Sequence, residues 1–386
     1  MKRITSIDFT RGIVMIIMAL DHTRDLMQVN SLTQSPTDLT TTTPILFFTR
    51  WITHFCAPTF VFLAGLSAFL SFKNKNDVAA SRKFLLTRGV WLIILEFTLV
   101  NFGMFFDIHF NSFIFEVIAA IGLGFIILSL LLKVTVKTIG MIGLCIIFGH
   151  NLFSLIPFAE GSLVKTILSP FFVPGAFPIT SKIIFVIAYP PIPWLGIILV
   201  GFAAGKIFQL DPKRRKQIFF KISLTALALF VIIRFINIYG DSSPWSVQKN
   251  GLYTFLSFIN VTKYPPSLLF CLLMLGGMFL ILSLAENLKI KLNNFVIVYG
   301  KVPLFYFLIH FYLIHLLMLV MVYLQGFKAS DLIFGFNFGR PKTGSGVSLF
   351  MIYLIWISVV IVLYPVCKWY GKYKMVHQEK KWLRYF

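Results

Sequence analysis

Asp8-Phe-Thr-Arg11-Gly-Ile-Val-Met-Ile-Ile-Met-Ala-Leu-Asp21-His22-Thr-Arg24-Asp25 opens the chain, and its pattern decides the fold. From Gly12 to Leu20 no side chain is polar, while ionisable groups stand at both ends of the run. A helix rises about 1.5 Å per residue, so the whole stretch from Asp8 to Asp25 covers about 25 Å of a core about 30 Å thick and leaves its charges toward the two faces. Working outward, apolar runs long enough to cross a membrane recur at 8–28, 45–72, 84–106, 112–132, 136–156, 183–208, 217–239, 264–285, 293–324 and 347–370. The runs at 45–72 and 293–324 are too long for one upright helix, so each is expected to tilt, break or extend beyond the lipid.

The composition agrees. Mean hydropathy is +0.85. Only 13% of the 386 residues are charged, against about 25% in soluble domains, so lipid has to cover part of the surface. A net charge of +21 would suggest nucleic acid in a soluble protein. Here the basic residues sit in short connections between apolar runs, which points to membrane topology and anionic lipid headgroups instead. The N-terminus, the connections after runs two, four, six and eight, and the C-terminal tail hold 20 of the 35 Lys and Arg. The opposite loops hold seven: Lys165, Lys182, Lys249, Lys263, Lys328, Arg340 and Lys342. That alternation predicts an all-α bundle of about ten transmembrane helices, one domain over residues 1–386, with both ends cytoplasmic. Met1-Lys2-Arg3 leads straight into the first run, so no cleavable signal is expected. The loops at 29–44, 157–182, 240–263 and 325–346 are longer and polar, and are expected to roof a site facing outward.

Ionisable groups inside apolar spans are costly and mark function or pairing. Asp8 with Arg11, and Asp21 with Arg24, are three apart on one helix and can pair. His22 lies in the outer third of the first span. The second span runs back and carries Arg50-Trp-Ile-Thr-His54-Phe-Cys-Ala-Pro58, which places His54 at matching depth. Pro58 should disturb the helix and free a backbone carbonyl. Weaker candidates are Arg88, Glu96, Glu116, His150, Arg234 and Lys301, with His310 and His315 pointing to different sides of the ninth span. A lone intramembrane histidine is more often a packed, hydrogen-bonded residue than a catalyst. The four cysteines have no metal or disulfide spacing and read as core residues. No zinc motif, phosphate-binding loop, dinucleotide fingerprint or nucleophile elbow is present. Gly201-Phe-Ala-Ala-Gly205 reads as a helix-packing face.

Ser6-Ile-Asp-Phe-Thr-Arg-Gly-Ile, Met18-Ala-Leu-Asp-His22 and Arg50-Trp-Ile-Thr-His-Phe-Cys-Ala-Pro-Thr-Phe-Val-Phe-Leu-Ala-Gly65 resemble the bacterial branch of the heparan-alpha-glucosaminide N-acetyltransferase catalytic-domain family. Tyr189-Pro-Pro-Ile-Pro-Trp-Leu-Gly196, Thr262-Lys-Tyr-Pro-Pro-Ser-Leu-Leu269, Gly300-Lys-Val-Pro-Leu-Phe-Tyr306 and the tail Lys381-Trp-Leu-Arg-Tyr-Phe386 extend the likeness over nearly the whole chain. The first helix also looks like that of the broader acyltransferase-3 group. The resemblance implies a transmembrane acyltransferase moving acetyl from cytoplasmic acetyl-CoA to a hydroxyl or amine of an envelope glycan, in a bacterial inner membrane. In the animal members an Asn stands where His22 aligns and the catalytic His lies in the following connection. Residues 29–44 hold no His, so the heparan substrate does not carry over.

On this reading His22 is the general base, His54 shares that role or donates to the oxyanion, and Asp21 or Asp25 orients a ring. Arg11, Arg88 and Lys301 are expected to meet the CoA phosphates. Arg50, Trp194, Lys263, Tyr264, His310 and His315 are expected along the acceptor path. No metal and no tightly bound cofactor is expected, nucleic acid is excluded as a partner, and a homodimer stays open. The rival readings are a secondary transporter with a proton relay of buried His, Asp and Arg, and a non-catalytic partner of an envelope complex.

Charge alternation makes a direct prediction. Reporters fused after Lys216 and after Lys291 should read cytoplasmic, and reporters at Thr42 and Lys249 external. One reversed reporter breaks the ten-span scheme.

Overall fold

A computed structural model describes residues 4–159, 161–286 and 292–384. Lys2, Arg3, Lys289 and Lys291 of the charge argument, and Tyr385 and Phe386 of the tail, lie outside the described residues. In chain order the elements are α1 (Thr5–Met27), α2 (Pro44–Thr53), α3 (Cys56–Lys75), α4 (Val78–Leu95), α5 (Asn101–Phe105), β1 (Ser112–Phe115), α6 (Val117–Leu131), α7 (Val136–Gly149), α8 (Leu163–Phe172), β2 (Gly175–Pro178), β3 (Ile184–Ile187), α9 (Pro191–Ala204), α10 (Pro212–Ile236), α11 (Gly251–Ile259), α12 (Leu268–Ala285), α13 (Leu292–Lys301), α14 (Pro303–Leu324) and α15 (Leu349–Val376). Eight helical stretches among the described residues are long and apolar enough to cross a membrane. The chain is a multi-pass integral membrane protein. α6, with 15 residues, falls short of that length, and α1 carries Arg11, Asp21, Arg24 and Asp25.

Helix starts follow local chemistry. The Asp77 carboxylate accepts from the Ala80 N–H at 3.1 Å, Asp211 from Arg214 at 3.1 Å, and Ser267 Oγ from Phe270 at 3.0 Å. Each satisfies a first-turn amide that has no partner inside the helix. Pro44, Pro191, Pro212 and Pro303 occupy first-turn positions, where a missing N–H costs nothing.

Both over-long runs break. The run at 45–72 interrupts between Thr53 and Cys56, at His54 and Phe55. Pro58 has no N–H to give the carbonyl four residues back, which is that of His54, so the interruption falls where the ring dictates. The run at 293–324 divides at Val302 into α13 and α14. A Cβ on Gly12 would meet Val296, and one on Gly300 would meet Asp8, so α13 packs antiparallel on α1. Two runs differ at their starts: 112–132 begins with a strand, with helix only from Val117, and 183–208 begins with β3, with helix only from Pro191. β3 pairs parallel with β1 and antiparallel with β2. The fold is therefore mostly helical with one small sheet. The sheet lies among the long loops, where alternating short apolar segments resemble helical runs to a hydropathy reading.

Small residues set the helix spacing. Gly201 lies against the Phe62 backbone, Gly65 against the Ile198 and Phe202 backbone, and Gly205 against the Phe69 ring, so α3 and α9 run parallel in close contact. The packing face expected at 201–205 is present. In the loop after α14, Arg340 is 2% exposed and donates to the Gln28 carbonyl at 3.0 Å and Ser31 Oγ at 2.8 Å. Burial draws its pKa down to about 10, which leaves it cationic at neutral pH. This clamp holds the 325–347 loop over the end of α1.

Overpacking tests the α3–α9 contact. Gly201→Val should lower the stability of the detergent-purified protein by roughly 1–3 kcal/mol in thermal or denaturant unfolding. Gly149→Ala, whose Cβ would meet nothing within 4 Å, should be neutral. Equal effects would refute the packing argument.

Candidate active site

Three adjoining cavities run along the bundle. The first, of about 290 Å³, is enclosed by α1, α3, α4, α6 and α14. Its polar lining is Arg11, Ser67, Ser71 and Arg88, close to the basic connection Lys73–Lys75, and the rest is apolar. The second, of about 270 Å³, is lined by Asp21, His22 and Asp25 of α1, by Glu116, Lys263 and Tyr264, and by Phe336 and Phe338 of the Arg340 loop. The third, of about 370 Å³, is lined by Arg24, Arg50, His54, Asn260 and the loop residues Ser35–Thr37. The first and second share Phe60, Val117 and Phe307, and the second and third share Asp25, Lys263 and Tyr264. The middle chamber thus joins a basic end to a loop end.

His22 stands in this chamber. Its Nδ1 is 2.8 Å from Nε2 of His310, and Nδ1 of His310 is 2.9 Å from the Tyr306 carbonyl oxygen. A carbonyl only accepts, so His310 Nδ1 carries the proton, and in a neutral ring its Nε2 is then an acceptor. His22 must donate from Nδ1. Its own Nε2 is left unprotonated, with a lone pair for the chamber. Phe311, 4.3 Å away between ring centroids, and the near-parallel His310 ring fix the plane of His22.

The charges beside His22 are paired. Arg24 donates to Asp21 at 2.9 Å and to Asp25 at 2.6 Å, and Arg50 donates to Asp21 at 2.6 Å. Arg24 is 1% exposed. Asp21 therefore binds the end of α1 to α2 and does not orient the His22 ring. The ring-orienting role expected of Asp21 falls to His310. Arg50 belongs to this cluster while also lining the third cavity.

His54 lies in the third cavity, away from the His22–His310 pair, and its Nδ1 has no hydrogen-bond partner among the described residues. The two histidines that share a depth are thus divided between neighbouring cavities. Lys263 and Tyr264 face both the second and third. Their turn is pinned by Asp241, which accepts from the Thr262 N–H at 2.9 Å and from Ser267 Oγ at 2.7 Å. Lys263 sits 4.9 Å from the Tyr264 ring centroid. Trp194 is buried behind the chamber, its ring 4.6 Å from that of Tyr189, and supports that wall without lining it. His315 turns away from His310, stacks on Phe106 at 3.8 Å and reaches the Gly103 carbonyl at 3.1 Å. Arg11 lines the first cavity and donates to Ser67 Oγ and the Gly300 carbonyl, both at 3.2 Å. Arg88 lines it too, whereas Lys301 does not. Glu96 sits at a π-helical turn (Glu96–Val100) and accepts the Ala119 N–H at 2.8 Å, holding the start of α6.

Phe60, Phe307, Phe311, Phe336 and Phe338 line the site, and sequence reasoning did not single them out. Among 44 Phe nothing marks an inward-facing ring.

The family model for the catalytic region of heparan-alpha-glucosaminide N-acetyltransferase matches residues 3–243. The chain belongs to this family. No curated protein matches it. The matched region holds His22, Asp21, Arg50, His54, Arg11 and Arg88. From beyond it, Lys263 and Tyr264 complete the same cavities and His310 meets His22.

The shared carboxylate has a measurable consequence. Asp21→Asn leaves two guanidinium groups without their common partner and should cost about 3–5 kcal/mol in denaturant unfolding of the detergent-purified protein. Asp25, whose side chain is 43% exposed, should cost about 1 kcal/mol or less on change to Asn. Equal losses would show that Asp21 is not the hub.

Proposed function

We propose that the protein transfers acetyl from acetyl-CoA to a hydroxyl or amine of an envelope sugar, with donor and acceptor entering from opposite ends. The observation that carries this reading is the His22 Nε2 lone pair, set by the His310 hydrogen bond, in a chamber joining a basic cavity to a polar one. Membership of an N-acetyltransferase family supports it.

The first cavity takes the donor. Arg11 and Arg88 flank its basic end, where CoA phosphates meet cations, and the apolar walls suit the pantetheine arm. By the positive-inside rule that end is cytoplasmic. The acceptor enters through the third cavity past His54, Lys263 and Tyr264. His22 Nε2 takes the proton of the attacking hydroxyl or amine as the new C–O or C–N bond forms. The tetrahedral centre collapses, the C–S bond breaks, and the thiolate takes the proton back from His22. His310 keeps the productive tautomer throughout, so it is a positioning residue. Acetyl-CoA is a substrate here, and no tightly bound cofactor is part of the proposal.

Acetyl-CoA should raise the melting temperature of the purified protein, as binding stabilises the folded state by RT ln(1 + [L]/Kd). His22→Ala should keep that shift and lose about 10²–10⁴ in transfer rate, read as thiol release with a panel of sugar amines and alcohols. His310→Ala should slow transfer by less and displace the pH–rate profile. A folded His22→Ala protein working at the wild-type rate would sink the mechanism, and no acetyl-CoA shift at all would return the chain to the transporter reading.

A further inference from the structure

Between the first cavity and the chamber stand Phe60, Val117 and Phe307, the residues common to both linings. These three side chains therefore bound any passage between the two cavities. Phe307 is 6% exposed and Val117 9% exposed, so both are held by packing. The Phe307 ring lies 6.3 Å from His22 and 5.9 Å from His310 between centroids, edge-on to both. This boundary is therefore beside His22 and cannot move far without disturbing the histidine pair.

Resting on the donor path proposed above, we infer that Phe60, Val117 and Phe307 form a selectivity neck that restricts the donor to short acyl groups. The acyl group is the leading tip of an acyl-CoA. For its carbonyl to come within reach of His22 Nε2, the thioester has to stand at the neck with the acyl tail ahead of it. The chamber ahead also has to receive the acceptor, and Phe336 and Phe338 close its far side. Each methylene added to an acetyl group then presses on the neck rings or takes the acceptor's space. A methylene too many in a close-fitting pocket is discriminated by roughly 10–200-fold. Polar groups do not set this limit, because the neck is lined by two aromatic rings and one branched aliphatic side chain.

Acyl-CoA binding to the purified full chain tests this without knowledge of the acceptor. Dissociation constants are measured for CoA, acetyl-CoA, propionyl-CoA and butyryl-CoA. The wild type should bind butyryl-CoA at least about tenfold more weakly than acetyl-CoA. Phe307→Ala should close most of that gap while leaving CoA binding within a few-fold. Val117→Ala, a smaller change, should close part of it and serves if Phe307→Ala fails to fold. Equal wild-type affinity for acetyl-CoA and butyryl-CoA, or an unchanged ratio in a folded variant, overturns the neck. Failure of CoA itself to bind overturns the donor path beneath it, and the CoA control separates the two failures.

Discussion

Asp21 is a carboxylate buried in an apolar bundle and shared by two guanidinium groups, and the geometry of the site depends on that sharing. A lone charge at this depth is costly, and an ion pair is retained there only with good geometry and further hydrogen bonds. Arg24 comes from the same helix and Arg50 from α2, so one carboxylate fixes the turn of α1 that carries His22 and ties it to the helix that ends at His54. The break in the α2–α3 run is part of the same arrangement. It ends α2 one turn beyond Arg50 and exposes the His54 ring to the third cavity.

Histidine pairs differ from histidine–carboxylate pairs in what they ask of the surroundings. A carboxylate behind His22 would add another buried charge beside Asp21 and Asp25. His310 brings none, and it is 0% exposed. It obtains its direction from the Tyr306 carbonyl one turn back on its own helix, a bond that needs no partner from elsewhere. The protonation pattern of the pair thus follows from helix geometry, and the lone pair of His22 needs no ion to define it. Phe307 and Phe311, one helical turn apart on α14, then give His22 an apolar wall on two sides.

How far this was readable from sequence depends on which physical signal each feature leaves. Lipid-crossing helices leave long apolar runs, and eight of the ten expected runs contain a helical stretch long and apolar enough to cross a membrane, though those at 183–208 and 293–324 start eight to ten residues late. Pro58 marks its break because a missing N–H acts at a fixed distance along the chain. Depth along α1 follows from rise per residue, and this drew attention to His22. Depth says nothing of rotation about the helix axis. That is why His22 and His54, matched in depth, fall in different cavities, while His310, 288 positions away in the chain, is the one that meets His22. The small sheet was missed because short strands of Phe, Ile and Val at 112–115 and 184–187 look like the ends of apolar helices. The aromatic lining left no signal, since inward and lipid-facing Phe are alike in composition.

The division of labour along the chain is the final step. Residues 3–243 carry His22, the carboxylate hub and most of the first cavity, and these coincide with the family match. What they lack is direction. The partner that sets the tautomer, the rings that wall the chamber at Phe307, Phe336 and Phe338, and the Lys263–Tyr264 turn all come from the last third of the chain. α1 links the two parts: it packs against α2 and α3 on one side and α13, α14 and α15 on the other. The chamber around the His22 imidazole is thus walled by residues from both parts of the chain. A helix placed between the two parts is the position from which one side chain meets both.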